Sequence, residues 1–117
     1  MIKLKLNYNQ LIAFVTFLKT LHEFIDKDSK GYSGFKRAEL NSEKWLMNQL
    51  HIKLAFKLVK TPCRQKSITI SITPIEGLLI LKYKDHGFIQ PDLSEYNSFV
   101  IQHEISPVIC KHLLTEL

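Results

Sequence analysis

This chain is poor in most of the features that mark a specialised class of protein. Two cysteines in 117 residues cannot build a disulfide scaffold, and Cys63 and Cys110 lie too far apart to form a C-x-x-C ligand pair. The four glycines, at positions 31, 34, 77 and 87, are too scattered to form a phosphate-cradling loop, and neither the dinucleotide fingerprint nor the P-loop pattern occurs. No apolar run approaches the roughly 18 residues of a bilayer span. The opening Met1-Ile2-Lys3-Leu4-Lys5-Leu6 alternates apolar with basic instead of building a signal-peptide core. These absences lead us to expect a cytoplasmic protein with reduced thiols and no membrane contact. Acidic side chains are also missing from one long stretch, with none between Glu43 and Glu76.

What is present is ordinary globular material: 45% apolar, 10% aromatic and 23% charged residues. That composition excludes a disordered tail, and the length suits one domain over residues 1–117. The net charge of +5 is unevenly spread. Residues 1–43 carry +2, residues 44–84 carry +7 and residues 85–117 carry −4. A basic middle followed by an acidic tail has two explanations: a site for an anionic partner, or a centre neutralised by the tail or by a second copy.

Ile2, Leu4 and Leu6 alternate with Lys3 and Lys5, which is the period of a strand with one buried face. Asn7-Tyr8-Asn9-Gln10 then matches a capping box. Leu11, Phe14, Val15, Leu18, Leu21 and Ile25 continue at helical spacing, so a half-buried helix follows. The stretch from Asp26 to Gly34 collects charges, serines and two glycines, and predicts a surface loop. Asn41 or Ser42 is the expected cap of the next helix, which ends near Lys60 because residues before Pro62 avoid the helical region. On a helical wheel Trp45, Met47, Leu50, Ile52, Leu54, Ala55, Phe56, Leu58 and Val59 cover more than half the circumference. The expectation is a central helix enclosed on several sides, with only Gln49, Lys53, Lys57 and Lys60 in a polar strip.

Ser67 to Thr73 repeats the opening arrangement, with Ile68, Ile70 and Ile72 on one face. Thr73-Pro74-Ile75-Glu76 combines an N-cap, proline at the first helical position and Glu three residues on, so a helix is preferred over 74–84. The alternative is a hairpin strand over 74–84. Ile2 to Asn7 and Ile68 to Thr73 both read as strand then cap, 66 residues apart, and one strand alone would leave its edges unpaired. The two are therefore expected to pair as a ribbon covered by helices. A further capping box, Asp92-Leu93-Ser94-Glu95, predicts a last helix that is kinked or recapped at Ser106 ahead of Pro107. A strand over 99–105 is its alternative.

The fold class is therefore α+β and mainly helical, in the order β-α-α-β-α-α. Function is less legible. His22-Glu23-Phe24-Ile25-Asp26 imitates the start of a zinc-protease helix but lacks the second histidine, and His103-Glu104 and Lys111-His112 are isolated pairs. No nucleophile elbow occurs. No catalytic residue, cofactor or metal is expected, and the reading leans away from an enzyme. Two functions remain. The first is a small non-enzymatic interaction or assembly protein with a protein partner or self-association, since a short chain buries its apolar surface incompletely. The second is a nucleic-acid-binding accessory protein using Lys53, Lys57, Lys60, Arg64 and Lys66 on the phosphate backbone. Lys82 and Lys84 extend that patch if their segment lies alongside.

Overall fold

Ile2, Leu4 and Leu6 turn inward while Lys3 and Lys5 face water, which makes β1 (Ile2–Leu6) a strand with one apolar side. The computed structural model describes residues 1–62, 65–84 and 99–116. Strand β2 (Ile68–Ile72) repeats the alternation and pairs with β1 antiparallel, Ile2 opposite Ile72 and Leu6 opposite Ile68. Leu4 faces Ile70 at the centre. That register is the one in which residues 66 apart are related by a local two-fold axis, so the strand-then-cap repeat is a structural repeat.

Each strand runs directly into a helix through the predicted capping box. Asn7 Oδ1 accepts from the Gln10 backbone N–H at 2.8 Å while Gln10 Oε1 accepts from the Asn7 N–H at 2.8 Å, starting α1 (Tyr8–Ser29). Thr73 and Glu76 exchange the same two bonds at 3.2 and 2.7 Å and start α3 (Pro74–Tyr83). Residues 74–83 are thus helical and the hairpin alternative is excluded, because proline at the first helical position gives up no needed N–H.

The loop expected from Asp26 to Gly34 shrinks to four residues. Helix α1 continues to Ser29, whose hydroxyl donates to the Asp26 carbonyl, and α2 (Gly34–Lys60) begins seven residues before the expected cap at Asn41. Ser42 lies inside α2 with its hydroxyl on the Ala38 carbonyl, one turn back. The turn is made by Gly34, which adopts φ +63° in the left-handed region that side chains disfavour. A four-residue link turns α2 back along α1, and this is the most extensive helix pair among the described residues. Lys44 reaches Asp26 at 3.0 Å across it.

The strand alternative over 99–105 is also excluded. Val100–Ile105 is a π-helical turn that runs into α4 (Ser106–Glu116). The Ser106 N–H and hydroxyl both donate to the Ile101 carbonyl, the hydroxyl at 2.6 Å. Pro107 has no N–H for the bond one turn back, and the widened turn ahead of it absorbs the crowding that proline causes inside a helix. The capping box at residues 92–95 lies outside the described residues. Gly77 lets α3 sit against the ribbon: a Cβ there would lie 2.9 Å from Ile2 Cδ1 and 3.0 Å from Ile109 Cγ2. The element order is β-α-α-β-α-α, as expected, and among the described residues no helix is long and apolar enough to cross a membrane.

Candidate functional site

The enclosed central helix is overturned. Leu40, Met47, Leu50 and Leu54 of α2 are buried and Leu58 is half-buried, but Trp45 is 61% exposed, Phe56 63% and Val59 84%. Ile52 is also exposed. Counted from Trp45, these residues advance by 7, 4 and 3, so they form one row along the outside of the helix, opposite the Leu40, Met47 and Leu54 row. The helical wheel counts apolar residues without regard to how many neighbours the chain has available to cover them. With α1 and the ribbon on one side, the opposite row meets solvent.

The row extends toward the N-terminus of α2 through residues at or ahead of the expected cap. Phe35 is 88% exposed, and Ala38 and Ser42 lie on the same line and are exposed. Two shallow grooves flank it. One, of about 250 Å³, lies beside Ile52, Ala55, Phe56 and Val59 with His51 at its border. The other, of about 360 Å³, is lined near Phe35, Ala38 and Leu46 and is closed by Ile75 and Leu79 of α3. Burial, with the charges of His22 and Lys19 from α1 acting in the same direction, lowers the His51 pKa below its ordinary value.

The predicted basic residues are only partly brought together. Lys53 Nζ donates to the Ser71 carbonyl of β2 at 3.0 Å, and Lys57 shares a groove of about 310 Å³ with Lys53, Thr69 and Ser71. Lys60 and Lys66 are exposed farther along the chain, and Arg64 lies outside the described residues. Lys82 does not extend the patch, because it is held by Glu43 at 2.8 Å. Sequence reasoning misses Lys3 and Lys5, which face out beside Ser71 and Thr69 on the paired strand. The pairing of the two repeats is the signal that could have placed them there. Four lysines from two elements, β1 and α2, therefore surround two hydroxyl side chains of β2.

A buried polar cluster ties α2 to α3. Glu43, 8% exposed, accepts from the Tyr83 hydroxyl at 2.5 Å and from Lys82 Nζ at 2.8 Å. Burial first, then the bond to Glu43 and its negative charge, pushes the Tyr83 pKa well above its ordinary value. One residue along α2, the hydrogen bond from Lys44 and then its charge hold the Asp26 carboxyl of α1 below its ordinary value. Gln10 Nε2 also donates to Glu104, joining the start of α1 to the π-helical turn. These contacts crosslink elements, and Glu43 also borders the groove of about 360 Å³ with Glu39 and Ser42. Among the described residues no three His, Cys, Asp or Glu side chains converge as a metal site would require. No protein family, curated protein or solved structure matches the chain.

Proposed function

We infer that this chain is a small non-enzymatic interaction or assembly protein that meets a protein partner through the outer row of α2. One observation carries the reading: Trp45, Ile52, Phe56 and Val59 are exposed in line on a 27-residue helix whose opposite side is anchored in the core. Large apolar residues scattered singly over a surface are ordinary, but aligned aromatics on a rigid element form the kind of patch that partners bury. Rigidity matters because a docking helix that is already formed has no folding entropy left to lose. The test is a photoactivatable benzoylphenylalanine in place of Ile52, irradiated in cells of the native source. A covalent adduct supports the reading, and a chain that stays unmodified overturns it.

A second reading is nucleic-acid binding on the phosphate backbone, favoured by Lys3, Lys5, Lys53 and Lys57 gathering around Thr69 and Ser71. Lys53 uses one donor on Ser71, and an ammonium group has three. Replacing Lys53, Lys57 and Lys60 with Gln should weaken binding equally for all sequences and lower the salt slope by about 0.9 for each duplex phosphate no longer neutralised. Failure to retain DNA or RNA at about 50 mM salt would end this reading.

A further inference from the structure

We propose that the partner on the outer row of α2 is a second copy of this chain, docked antiparallel about a two-fold axis beside residue 47. This rests on the interaction reading above and specifies it. From Phe35 to Val59 the exposed row advances by alternating steps of three and four, the spacing of a coiled-coil seam. That seam runs along the outside of α2, while Leu40, Met47 and Leu54, seven residues apart, hold the opposite side in the core.

Sizes along the row select the orientation. Its N-terminal half is mostly small or polar after Phe35, with Ala38 and Ser42, and its C-terminal half is large, with Ile52 and Phe56. In a parallel pair each residue would meet its own copy, so Phe56 and Trp45 would crowd while Ala38 and Ser42 left gaps. Both faults are destabilising. Reversing one copy and covering the whole row gives one register. Ala38 then meets the partner's Phe56, Ser42 meets the partner's Ile52 and Trp45 meets the partner's Gln49. Every layer combines a larger side chain with a smaller one. Phe35, the most exposed aromatic among the described residues, is carried to the partner's Val59, next to the groove of about 250 Å³ beside Ile52 and Phe56.

Charge points the same way. In an antiparallel pair the flanking position of Glu39 faces that of the partner's Lys53, an attraction repeated by symmetry. A parallel pair sets Lys53 beside the partner's Asn48 and gains nothing. Glu39 is exposed, and its contact with Lys36, at 4.0 Å between two half-exposed side chains, is weak enough to be exchanged. The two-fold contact is self-complementary and closes, so it stops at a dimer. It also covers the apolar side of α2 that the chain's own elements leave in solvent.

The full chain carrying Cys63→Ser and Cys110→Ser is made with Ser42→Cys, with Ile52→Cys, and with both. Sedimentation equilibrium should give a dimer, and Phe56→Asp should weaken it about 100-fold or more. Mild oxidation should join an equimolar mixture of the two single variants, or the double variant, and leave each single variant alone uncrosslinked. Self-crosslinking of Ser42→Cys would show a parallel pair and overturn the proposal. So would a strict monomer at about 1 mM. The benzoylphenylalanine adduct at position 52 separates the two levels. An adduct of twice the chain mass supports self-pairing, an adduct of another mass overturns self-pairing while the interaction reading stands, and no adduct overturns both.

Discussion

Helices α1 and α2 are neighbours in sequence and pack along one another, yet they distribute apolar residues in opposite ways. In α1 the large side chains Phe14, Phe17, Leu18 and Leu21 gather on one side and are fully buried. In α2 they fall on two opposite sides, one buried and one exposed. A one-sided helix has its environment written in its own pattern. A two-sided helix has only the requirement written there: the pattern says that two surfaces want covering and leaves open which the chain covers itself. That difference is why the fold of this protein is easier to read than its function.

The comparison can be broken most directly by truncating large side chains. Phe17→Ala should cost about 3–5 kcal/mol and Leu54→Ala about 2–5 kcal/mol in urea unfolding, since both sites are closed and leave cavities. Phe56→Ala, two residues from Leu54 on the same helix, should change monomer stability by less than about 0.5 kcal/mol at concentrations that disfavour association. Trp45 is the sole tryptophan and lies on the exposed row, so its emission should shift to the blue as concentration rises. A cost for Phe56→Ala equal to that of Leu54→Ala would show that the two rows are not different in kind.

A smaller effect is expected at the charged member of the buried row. Glu43→Ala removes the carboxylate that accepts from Tyr83 and Lys82 and should cost about 1–3 kcal/mol. Glu43→Gln keeps an acceptor in place and should cost less. Equal losses in thermal unfolding would mean that the carboxylate charge is what matters there, since Gln keeps both the volume and a neutral acceptor.

The same cluster sets an alkaline limit. Tyr83 holds its proton above the ordinary 10.0, so folded and unfolded chains bind that proton alike below pH 10.0. Above it the unfolded chain releases the proton first. Stability contributed by the neutral hydroxyl is therefore complete below that pH and is lost as pH rises through the higher folded value. Tyr83→Phe should lower stability near pH 8 by about 1 kcal/mol while flattening the decline toward pH 11. Parallel curves for the two proteins would remove Tyr83 as the cause.

How much of this is legible in the sequence follows from the range of the interactions concerned. Both strands, the capping boxes that start α1 and α3 and the end of α2 ahead of Pro62 depend on residues within about four positions of each other, and all appear where the pattern puts them. The start of α2 departs from the pattern because Ser29 and Ser33 look like loop residues. One bonds back into α1, and the other simply precedes a glycine that supplies the turn geometry. Of the candidate site, Lys53 and Lys57 are identified by helical spacing. Lys3 and Lys5 become neighbours only through a strand register, with partners about 66 residues away in sequence. The exposure of Trp45, Phe56 and Val59 depends on what the rest of the chain does not reach, which no local window contains.

The finest test of the comparison is how each helix begins. Helix α1 starts on side-chain chemistry, with Asn7 and Gln10 exchanging two bonds at 2.8 Å, so Asn7→Ala should cost about 1 kcal/mol. Helix α2 starts on backbone geometry: Ser33 makes no side-chain cap bond, and the left-handed φ of +63° at Gly34 makes the turn. Gly34→Ala should therefore cost about 1 kcal/mol through backbone strain, although beyond its own stretch of chain the added methyl group meets nothing within 4 Å. Ser33→Ala should fall within about 0.5 kcal/mol of the parent. Chemical unfolding of the three variants decides it. If Ser33→Ala cost as much as Asn7→Ala, a cap would be at work on α2, and its outer row would be set by the same local code as α1 instead of by what the fold leaves uncovered.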